Sequence, residues 1–578
     1  MRVVLAFARA YPGQTLLVLL ALIVAALVEG VSMTALLPAL SAATQDGAVP
    51  TSGVGSFIVQ SLHTLGIHPD LTSLLLVLVL GTTVTSVIGL VAKRRVGYTV
   101  AQVATDLRLE LLRSLLAARW EYYLRQPIGR LTNAMSFEAD GAARSYFNAA
   151  QMIASAVQAV AYTWVAMLVS WRATIVYVVA AVVIAVALQS MVRITRRAGK
   201  KQTKMMSRLM AGLTDSLQSV KPLKAMAREN LADRVLVAKT LDLNAALRRQ
   251  VISKEGRRAL QQPLLMTLVA MGAWAGLVLW KLPMAQVLVL VLLLAKVLNS
   301  FGKVQEAYQD VVTSESAYLS LRRTLDEAKR EPEPQGGRLA PHFDRTLCLD
   351  AVEFAYGHNP VLCDCSLTIP FGSLTTLTGY SGAGKTTILD LVVGLVRPQD
   401  GAVRIDDVDL ADLDLRAWRR MIGYVPQENL LLHDSVLRNV TLDDPEVSEA
   451  DVEYALRAAG AWDFVASLPE GVHTLVGERG SRFSGGQRQR ITIARALAHR
   501  PRLLILDEAT ASLDPTTEAA LCETLAGLRG SVTILTISHQ PALVATADRV
   551  YRVEKGRASL EADRPELRAP ARRGAASA

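Results

Sequence analysis

The chain has 578 residues, of which 51% are hydrophobic, and its mean hydropathy is +0.29. Such a length allows about three or four ordinary domains, and the hydropathy exceeds that of most soluble proteins. A formal net charge of +10 could indicate a nucleic-acid partner. However, Lys and Arg in the first half lie mainly between apolar runs, where orientation in a membrane explains them. We therefore expect no nucleic-acid partner.

Apolar residues are concentrated before residue 300, in runs of about twenty residues that can each cross a bilayer core of about 30 Å. A short amphipathic helix is expected at residues 1–12. Six spans are predicted after it, at residues 15–41, 72–92, 148–169, 173–193, 259–280 and 283–301. Connections of only two or three residues separate the third span from the fourth and the fifth from the sixth, which predicts antiparallel hairpins.

The distribution of basic residues predicts the topology. Residues 43–71 contain no Lys or Arg, whereas residues 93–144 and 196–258 are rich in both. By the positive-inside rule, the two basic stretches and both termini are cytoplasmic in an integral, multi-pass protein of the inner or plasma membrane. Glu29 and Lys296 lie inside the first and last apolar runs, where either a role in ligand binding or gating, or a structural ion pair or interfacial snorkelling, could explain them.

Composition also predicts the domain boundaries. We expect a transmembrane domain at residues 1–302, a linker at 303–343, a second, more polar domain at 344–561 and a disordered tail at 562–578. The cysteines Cys348, Cys363, Cys365 and Cys522 all lie in the polar second half. Cys363 and Cys365 should share one face of a strand, and no further Cys or His pair has zinc-site spacing, so packing thiols in a reducing cytosol are expected.

A glycine-rich segment between a predicted strand and a predicted helix indicates nucleotide binding. Its backbone N–H groups would cradle phosphates, Lys385 would approach the β- and γ-phosphates, and the Thr386 hydroxyl would hold Mg²⁺. A glycine-rich turn that matches by accident is the alternative. The predicted ATP-binding residues of this segment are Gly379, Tyr380, Ser381, Gly382, Ala383, Gly384, Lys385, Thr386 and Thr387.

Two further segments extend the prediction. Residues 503–506 form an apolar strand that ends in Asp507, a ligand for Mg²⁺, and Glu508, which would orient the attacking water. A core strand that merely ends in acids is the alternative. Small residues before the helix at 488–498 form a second anion site. Because one nucleotide cannot easily use both sites of one copy, two copies are expected to share ATP.

The order of these motifs resembles the nucleotide-binding domain of an ABC transporter, and the six spans resemble a half-transporter of the exporter type. The resemblance implies a multidomain fold, with an all-α six-helix transmembrane domain followed by an α/β P-loop NTPase domain. It implies that Tyr356 stacks on adenine, that Gln427 touches Mg²⁺, and that His539 contacts the γ-phosphate. It further implies a signature segment and a D-loop residue at Ser484, Gly485, Gly486, Gln487 and Asp514.

The resemblance also implies coupling stretches at residues 129–140 and 220–229, of which the first could equally be an ordinary helical turn. Phe483 departs from the usual Leu but keeps the apolar character. Tyr356 as a core aromatic and His539 as a loop histidine are the alternatives for those residues. The expected function is ATP-driven export or flipping of a lipophilic or amphipathic substrate, namely a lipid, lipid-linked glycan, drug-like compound or hydrophobic peptide, by a homodimer or a heterodimer in contact with membrane lipids. An ATP-gated channel, regulator or importer on the same scaffold is the alternative.

Overall fold

The computed structural model describes residues 12–36, 38, 59–60, 62–64, 68, 70–187, 189–334, 336–509 and 515–564. These residues form two compact units, and the chain passes from the first to the second between Pro332 and Glu333. Residues 119–121 are grouped with the second unit. The expected surface helix at residues 1–12 falls almost wholly outside the described residues.

The chain before Pro332 is helical nearly throughout its described part. The long helices have predominantly apolar stretches, and α2 begins at a cap in which the Asp70 side chain accepts a hydrogen bond from the Ser73 N–H at 3.0 Å. The helices are α1 (Pro12–Thr34), α2 (Leu71–Leu116), α3 (Trp120–Arg125), α4 (Ile128–Asn133), α5 (Ala139–Val169), α6 (Trp171–Ala187), α7 (Gln189–Gln218), α8 (Val220–Ala225), α9 (Glu229–Val278) and α10 (Met284–Arg330).

Apolar helices coincide with all six predicted spans. Four helical segments are long and apolar enough to cross a bilayer, and two shorter apolar helices accompany them in the described part of the chain. The four are Leu71–Leu116, Ile128–Val169, Ala259–Val278 and Met284–Arg330, and the shorter two are Ile23–Thr34 and Trp171–Ala180. The predicted multi-pass membrane domain is therefore confirmed.

Three of these helices extend far beyond a bilayer. Helices α2, α9 and α10 have 46, 50 and 47 residues, which at a rise of about 1.5 Å per residue gives lengths of about 70 Å. Such lengths are more than twice the thickness of a hydrocarbon core of about 30 Å. Each of these helices is therefore too long to lie wholly within the bilayer.

The two ionisable residues of the apolar runs are bound to each other. The Lys296 ammonium donates to Glu29 Oε1 at 2.7 Å, and the Tyr162 hydroxyl donates to Glu29 Oε2 at 2.5 Å. This group joins α1, α5 and α10 and neutralises both charges. A structural ion pair, one of the two alternatives, therefore accounts for these residues without a ligand.

The second unit is built on two sheets. A four-stranded sheet has the order β2-β1-β4-β5, and a six-stranded sheet has the order β10-β9-β3-β8-β7-β6, in which β9, β3, β8, β7 and β6 are parallel. The strands are β1 (Thr346–Tyr356), β2 (Asn359–Pro370), β3 (Leu374–Thr378), β4 (Asp400–Ile405), β5 (Val408–Asp409), β6 (Ile422–Val425), β7 (Leu503–Asp507), β8 (Thr533–Ile537), β9 (Arg549–Glu554) and β10 (Arg557–Asp563).

Helices cover both faces of the six-stranded sheet. Alternate residues of β7 belong to different apolar clusters, since Leu504 and Leu506 contact one cluster and Leu503 and Ile505 contact the other. The helices of this unit are α11 (Lys385–Val393), α12 (Leu415–Arg420), α13 (Val436–Thr441), α14 (Glu449–Ala458), α15 (Trp462–Ala466), α16 (Gly485–Leu497), α17 (Pro515–Gly527) and α18 (Pro541–Thr546). The predicted fold class, helical transmembrane domain followed by an α/β domain, is confirmed.

Three expectations need correction. The segment predicted as a linker from residue 303 begins as helix, because α10 continues with buried residues at helical spacing up to Arg330. The tail expected from residue 562 begins later, because β10 extends to Asp563, and residues 565–578 lie outside the described part. Cys363 and Cys365 do not share a face, since Asp364 between them has a φ of 58° and the β1–β2 register shifts there.

That register shift is a β-bulge, which places an extra residue on β2 and breaks the alternation of faces. Cys365 is buried, as is Cys522, so these two fit the expected packing thiols. Cys363 is exposed and does not fit that expectation. All four thiols are free, and burial raises the pKa of Cys365 to about 11.

Candidate functional site

Four neighbouring parallel strands end at one edge of the six-stranded sheet. Leu377 on β3 and Asp507 on β7 both pair with Ile537 on β8, and Val425 on β6 pairs with Leu506 on β7. The carboxyl ends of parallel strands in such sheets are where ligands bind. The glycine-rich loop, the two acidic residues, Gln427 and His539 each follow one of these strand ends. The structure thus brings five separately predicted features to one edge.

The glycines of the loop have backbone conformations that other residues rarely adopt. The φ angles of Gly379, Gly382 and Gly384 are 136°, 80° and 105°. A Cβ atom at Gly379 would lie 2.2 Å from the carbonyl oxygen of Val553, whereas one at Gly382 would meet no atom within 4 Å. The loop is therefore held tightly against β9 at its start and is open at its middle, where phosphate oxygens would approach.

Lys385 is the first residue of α11 and is nearly buried, with 5% of its surface exposed. Its ammonium group donates hydrogen bonds to the carbonyl oxygens of Gly379 and Tyr380, at 2.6 and 3.0 Å. The positive charge is thus held over the loop itself, at the positive end of the helix dipole. Ser381 and Thr386 are exposed, and Thr387 is buried beneath the loop.

Asp507 is the buried end of β7, and its Oδ2 accepts a hydrogen bond from the Tyr424 hydroxyl at 3.2 Å. Burial raises the pKa of Asp507 above its usual value, and the charge of Glu508 acts in the same direction. The hydrogen bond from Tyr424 and the charge of Lys385 oppose that rise. A carboxylate in this position gains stability from any nearby cation, which suits a residue predicted to face Mg²⁺.

Glu508 is held in a conformation that suggests function. Its φ is 49°, which is uncommon for a residue with a side chain, and its N–H donates to the Ile537 carbonyl at 3.1 Å. The Gln427 side chain donates from Nε2 to Glu508 Oε2 at 2.8 Å. The sequence predicted both residues separately, and the structure joins them directly. His539 is exposed and lies two residues beyond the end of β8.

Tyr356 lies against the helix that follows the loop. Its hydroxyl donates to Asp390 Oδ2 at 3.3 Å, and its ring meets Phe354 edge to face at a centroid distance of 4.8 Å. Asp390 is on α11 and is buried, and burial together with the charge of Asp507 raises its pKa to about 6. Tyr356 is thus partly buried, and it remains a predicted contact for adenine.

Two residues of this edge were not predicted, Asp390 and Tyr424. Asp390 is a carboxylate among the apolar residues of α11, which is a visible but weak signal in the sequence. Tyr424 is on an apolar strand and carries no signal of its own. Each is hydrogen-bonded to a residue that is distant in sequence, at separations of 34 residues for Asp390 and 83 residues for Tyr424.

The signature segment begins α16. Ser484 caps this helix, because its hydroxyl accepts from the Gln487 N–H at 3.2 Å while the Gln487 side chain accepts from the Ser484 N–H at 2.9 Å. A Cβ at Gly485 would meet no atom within 4 Å, so the helix start is open, and Gly486 follows it in the first turn. Phe483 packs against Phe464 at a centroid distance of 6.1 Å.

The helices that follow the glycine-rich loop and the predicted signature segment pack on opposite faces of the sheet. Helix α11 contributes Ile388 to one apolar cluster, and α16 contributes Ile491 to the other. Since these clusters contact alternate residues of β7, they flank different faces. Asp514, the predicted D-loop residue, lies outside the described residues.

Comparison with known proteins identifies the family. Residues 14–301 match the family model for the ABC transporter transmembrane region, and residues 362–511 match that for the ABC transporter. The chain belongs to the ABC transporters. It is accordingly an ATP-binding membrane protein that couples ATP hydrolysis to transport, as the motifs predicted.

Curated relatives include transporters of different length. The heterocyst differentiation ATP-binding protein HepA of Nostoc sp. is 27% identical over 470 residues, which cover 80% of this chain and 77% of that protein. The alpha-hemolysin translocation ATP-binding protein HlyB of Escherichia coli is 32% identical over 365 residues, 61% of this chain and 51% of that protein. The chain therefore spans about half the length of the HlyB-type relative.

A solved structure of a bacterial Atm1-family ABC exporter with ATP bound has a similar fold. Its TM-score against this chain is 0.78, with 22% identity, and the match covers 97% of this chain and 96% of that one. At this identity the likeness shows the fold alone. The fold is that of an ABC exporter.

Proposed function

We propose that this chain is an ATP-driven exporter or flippase for a lipophilic or amphipathic substrate, and that it works as a dimer. The observation that carries the proposal is the hydrogen bond from Gln427 to Glu508 at the sheet edge, 2.8 Å long, beside the phosphate loop. It supports an intact hydrolytic site in a chain whose other unit consists of apolar helices. Energy from ATP would therefore be available to move a substrate across the membrane.

The residues at the edge fit a nucleotide with Mg²⁺. The atoms that would ligate the metal are oxygens, from the Thr386 hydroxyl, the Asp507 carboxylate and the Gln427 amide. A hard cation such as Mg²⁺ prefers oxygen ligands. Among the described residues, no three His, Cys, Asp or Glu side chains converge as metal ligands. Phosphate oxygens and water would thus complete the coordination, and Mg²⁺, when bound, would neutralise charge on the β- and γ-phosphates.

The roles of the protein groups follow from their positions. The ammonium of Lys385 would exchange its two carbonyl partners for phosphate oxygens. Glu508 would accept a hydrogen bond from the attacking water and take up its proton, and Gln427 would hold the Glu508 carboxylate in place. His539 would contact the γ-phosphate from the end of β8, and Tyr356 would contact the adenine.

Dimerisation is supported by the separation of the two anion-binding segments on opposite faces of the sheet. A second copy could place its open α16 start against the phosphate loop of the first, so that Ser484 to Gln487 complete the site. A heterodimer with a related chain would satisfy the same geometry. ATP binding would then close the two copies on each other, and hydrolysis would release them.

This dimer proposal is testable by mixing two impaired subunits. Lys385→Ala removes the loop ammonium, and Ser484→Ala removes the cap of α16. A mixed dimer would contain one composite site with both segments intact, and we expect ATP to trap it as a crosslinked species. If only unmixed products form with ATP, the shared-site proposal is wrong.

Coupling is proposed to run through residues 129–140 and 220–229. The second stretch contains α8, a short helix between α7 and α9. The apolar residues Val220, at its start, and Met226, just after its end, are 45% and 56% exposed. Exposed apolar side chains on a tight helical turn are suited to docking against another surface. We propose that this surface is a nucleotide-binding unit on the cytoplasmic side.

The substrate class rests on the character of the membrane helices. Their surfaces expose large apolar side chains, and the charged pair at Glu29 and Lys296 is internally neutralised. A lipid, a lipid-linked glycan, a drug-like compound or a hydrophobic peptide would suit such helices. HlyB-type relatives are named for translocation of alpha-hemolysin, which favours a polypeptide among these candidates.

Reconstitution in liposomes tests the function. Inside-out vesicles, in which the nucleotide-binding units face the outer solution, are supplied with ATP outside. They should accumulate a substrate only when hydrolysis proceeds, and Glu508→Gln should abolish accumulation. Passive flux that needs ATP binding but not hydrolysis would favour an ATP-gated channel. Movement in the opposite direction would favour an importer, and no movement of any lipophilic compound would contradict the substrate class.

A further inference from the structure

The first unit contains a cavity of about 320 Å³. It lies where α5, α7, α9 and α10 meet, beside the π-helical turn Ala134–Glu138. Ligand pockets for small molecules begin at about this volume, and π-helical turns are frequent at functional sites. The cavity includes part of the proposed coupling stretch at residues 129–140.

Close backbone contacts hold the walls of this cavity in place. A Cβ atom at Gly141 on α5 would lie 2.6 Å from the Ala317 Cβ, and one at Gly199 on α7 would lie 3.2 Å from the Thr313 backbone. The Thr203 and Ser316 hydroxyls are hydrogen-bonded at 2.7 Å. Because the helices touch on either side of it, the cavity is a formed feature of the bundle rather than loose packing.

Three residues of the cavity lining carry an acceptor oxygen without a hydrogen-bond partner. Glu138 is 4% exposed, and its Oε1 accepts from Asn133 Nδ2 at 3.1 Å and from the Ser320 hydroxyl at 2.8 Å. Its Oε2 has no hydrogen-bond partner, and neither have Asn133 Oδ1 and Gln250 Oε1. Asn133 is 2% exposed. A buried acceptor without a partner is unfavourable, so all three oxygens would gain from a hydrogen-bond donor bound beside them.

The charges around the cavity favour a positive donor. Glu138 and Asp310 are acidic, and Arg144, the basic residue of the lining, is exposed. The guanidinium of Arg130 acts on Glu138 at a distance, but it donates its hydrogen bonds to Gln126 and Glu327, at 2.8 and 3.0 Å. The buried carboxylate therefore keeps one oxygen without a hydrogen-bond partner, on a residue of the cavity lining.

A metal ion fits this site less well than an organic cation. No three metal-ligating side chains converge within the described residues, and the volume is many times that of one ion. Phe137 and Met206 add apolar surface to the lining, and an aromatic ring can also contact a cation. An ammonium or guanidinium group on an apolar body matches both the acceptors and the apolar wall.

We propose that this cavity binds an organic cation, with its ammonium or guanidinium group hydrogen-bonded to Glu138, Asn133 and Gln250. The site would recognise the positive end of an amphipathic molecule. That this molecule is the transported substrate rests on the proposed export function, whereas binding itself does not.

Binding is tested with the full-length protein in lipid nanodiscs, without ATP. The probes are 2-phenylethylammonium, the neutral 2-phenylethanol and the anionic 3-phenylpropanoate, compared by equilibrium dialysis. We expect the ammonium to bind at least about tenfold more tightly than the alcohol, since a charge-assisted hydrogen bond contributes that much. Equal binding of all three probes, preference for the anion, or no binding up to the solubility limit would overturn the proposal.

Variants locate the site. Glu138→Gln should weaken ammonium binding by about tenfold or more, and Asp242→Asn serves as the control, because Asp242 is exposed and is not part of the cavity lining. Gln250→Glu adds a charge from a different helix and should strengthen binding several-fold even if Glu138→Gln folds poorly. Unchanged affinity in both Glu138→Gln and Gln250→Glu refutes the assignment of this cavity.

Transport separates the site from the export function. Labelled 2-phenylethylammonium, or a larger amphipathic amine that competes with it, should accumulate in vesicles with ATP, and Glu138→Gln should lower this accumulation. If the amines bind but none accumulates with ATP, the assignment of the binding site still stands, but its role in cargo recognition is refuted. If the protein exports another compound and Glu138→Gln does not change that export, the role of the cavity in cargo recognition is likewise refuted.

Discussion

Replacement of Glu508 by Gln tests the proposed hydrolytic site most directly. The two side chains have nearly the same shape, and the Gln oxygen can still accept the hydrogen bond from Gln427, now 2.8 Å long. The backbone at φ 49° and the N–H bond to Ile537 are unaffected. The variant therefore loses the negative charge that would take up a proton from water and little else.

The expected effect is large on turnover and small on ATP binding. Loss of a general base typically costs about 10²–10⁴ in rate, so ATP turnover should fall about a hundredfold or more. ATP affinity should stay the same or rise, because the variant removes a negative charge from a site that must hold the anionic phosphates. The same charge raises the pKa of the neighbouring Asp507. Phosphate release and equilibrium ATP binding by the purified protein measure the two quantities.

A matched control separates this role from a general effect of removing a carboxylate. Glu446 is exposed in the same unit, and Glu446→Gln should leave both turnover and ATP binding near those of the unmodified protein. Near-normal turnover of Glu508→Gln would refute the assignment of Glu508. A parallel loss of ATP binding would show that Glu508 acts on the bound ground state instead of the reaction.

Three further changes have expected outcomes. Gly379→Ala should abolish ATP binding measured by dialysis, since its Cβ would lie 2.2 Å from a β9 carbonyl oxygen. Asp390→Asn should raise the thermal unfolding temperature at pH 8, because the pKa of Asp390 is raised from 3.8 to about 6 and its buried charge costs about 3 kcal/mol above pH 6. That gain should shrink towards pH 4, where the folded protein holds the proton, and a constant gain would contradict the reasoning. Glu29→Gln or Lys296→Met alone should destabilise by about 2 kcal/mol in thermal unfolding, and the double variant by less than the sum, whereas additive losses would mean that the pair is not coupled.

Local sequence was sufficient to predict the conformation of the glycine-rich loop. Gly379 and Gly384 need positive φ angles, and the following Lys385 begins a helix, so adjacent residues define the whole loop. The strand ends were also predictable, because an apolar strand that stops at Asp507 needs only its own pattern. The convergence of four such ends then follows from the parallel order of the sheet.

The missed features depend on contacts between distant parts of the chain. The bulge that turns Cys363 to the surface depends on the pairing of β2 with β1, which the alternation within β2 does not report. Tyr424 reaches Asp507 across 83 positions in sequence, and Ser320 reaches Glu138 across 182. Periodicity within one element cannot predict which side chain of a second element will face it.

The unpartnered acceptors of the cavity restrict the range of candidate substrates more than membership of the family does. Members of one fold differ in cargo, so the choice must come from residues such as Glu138 and Gln250 that face a possible ligand. The apolar spans favour a lipophilic body, and the unpartnered oxygens favour a positive end. An amphipathic peptide with an exposed amine or arginine has both properties, as does a cationic drug-like compound. A neutral lipid lacks the second property, and it would leave the Glu138 oxygen unpaired in the bound state. The two proposals together therefore order the candidate substrates by charge, with cationic amphiphiles ahead of neutral and anionic ones.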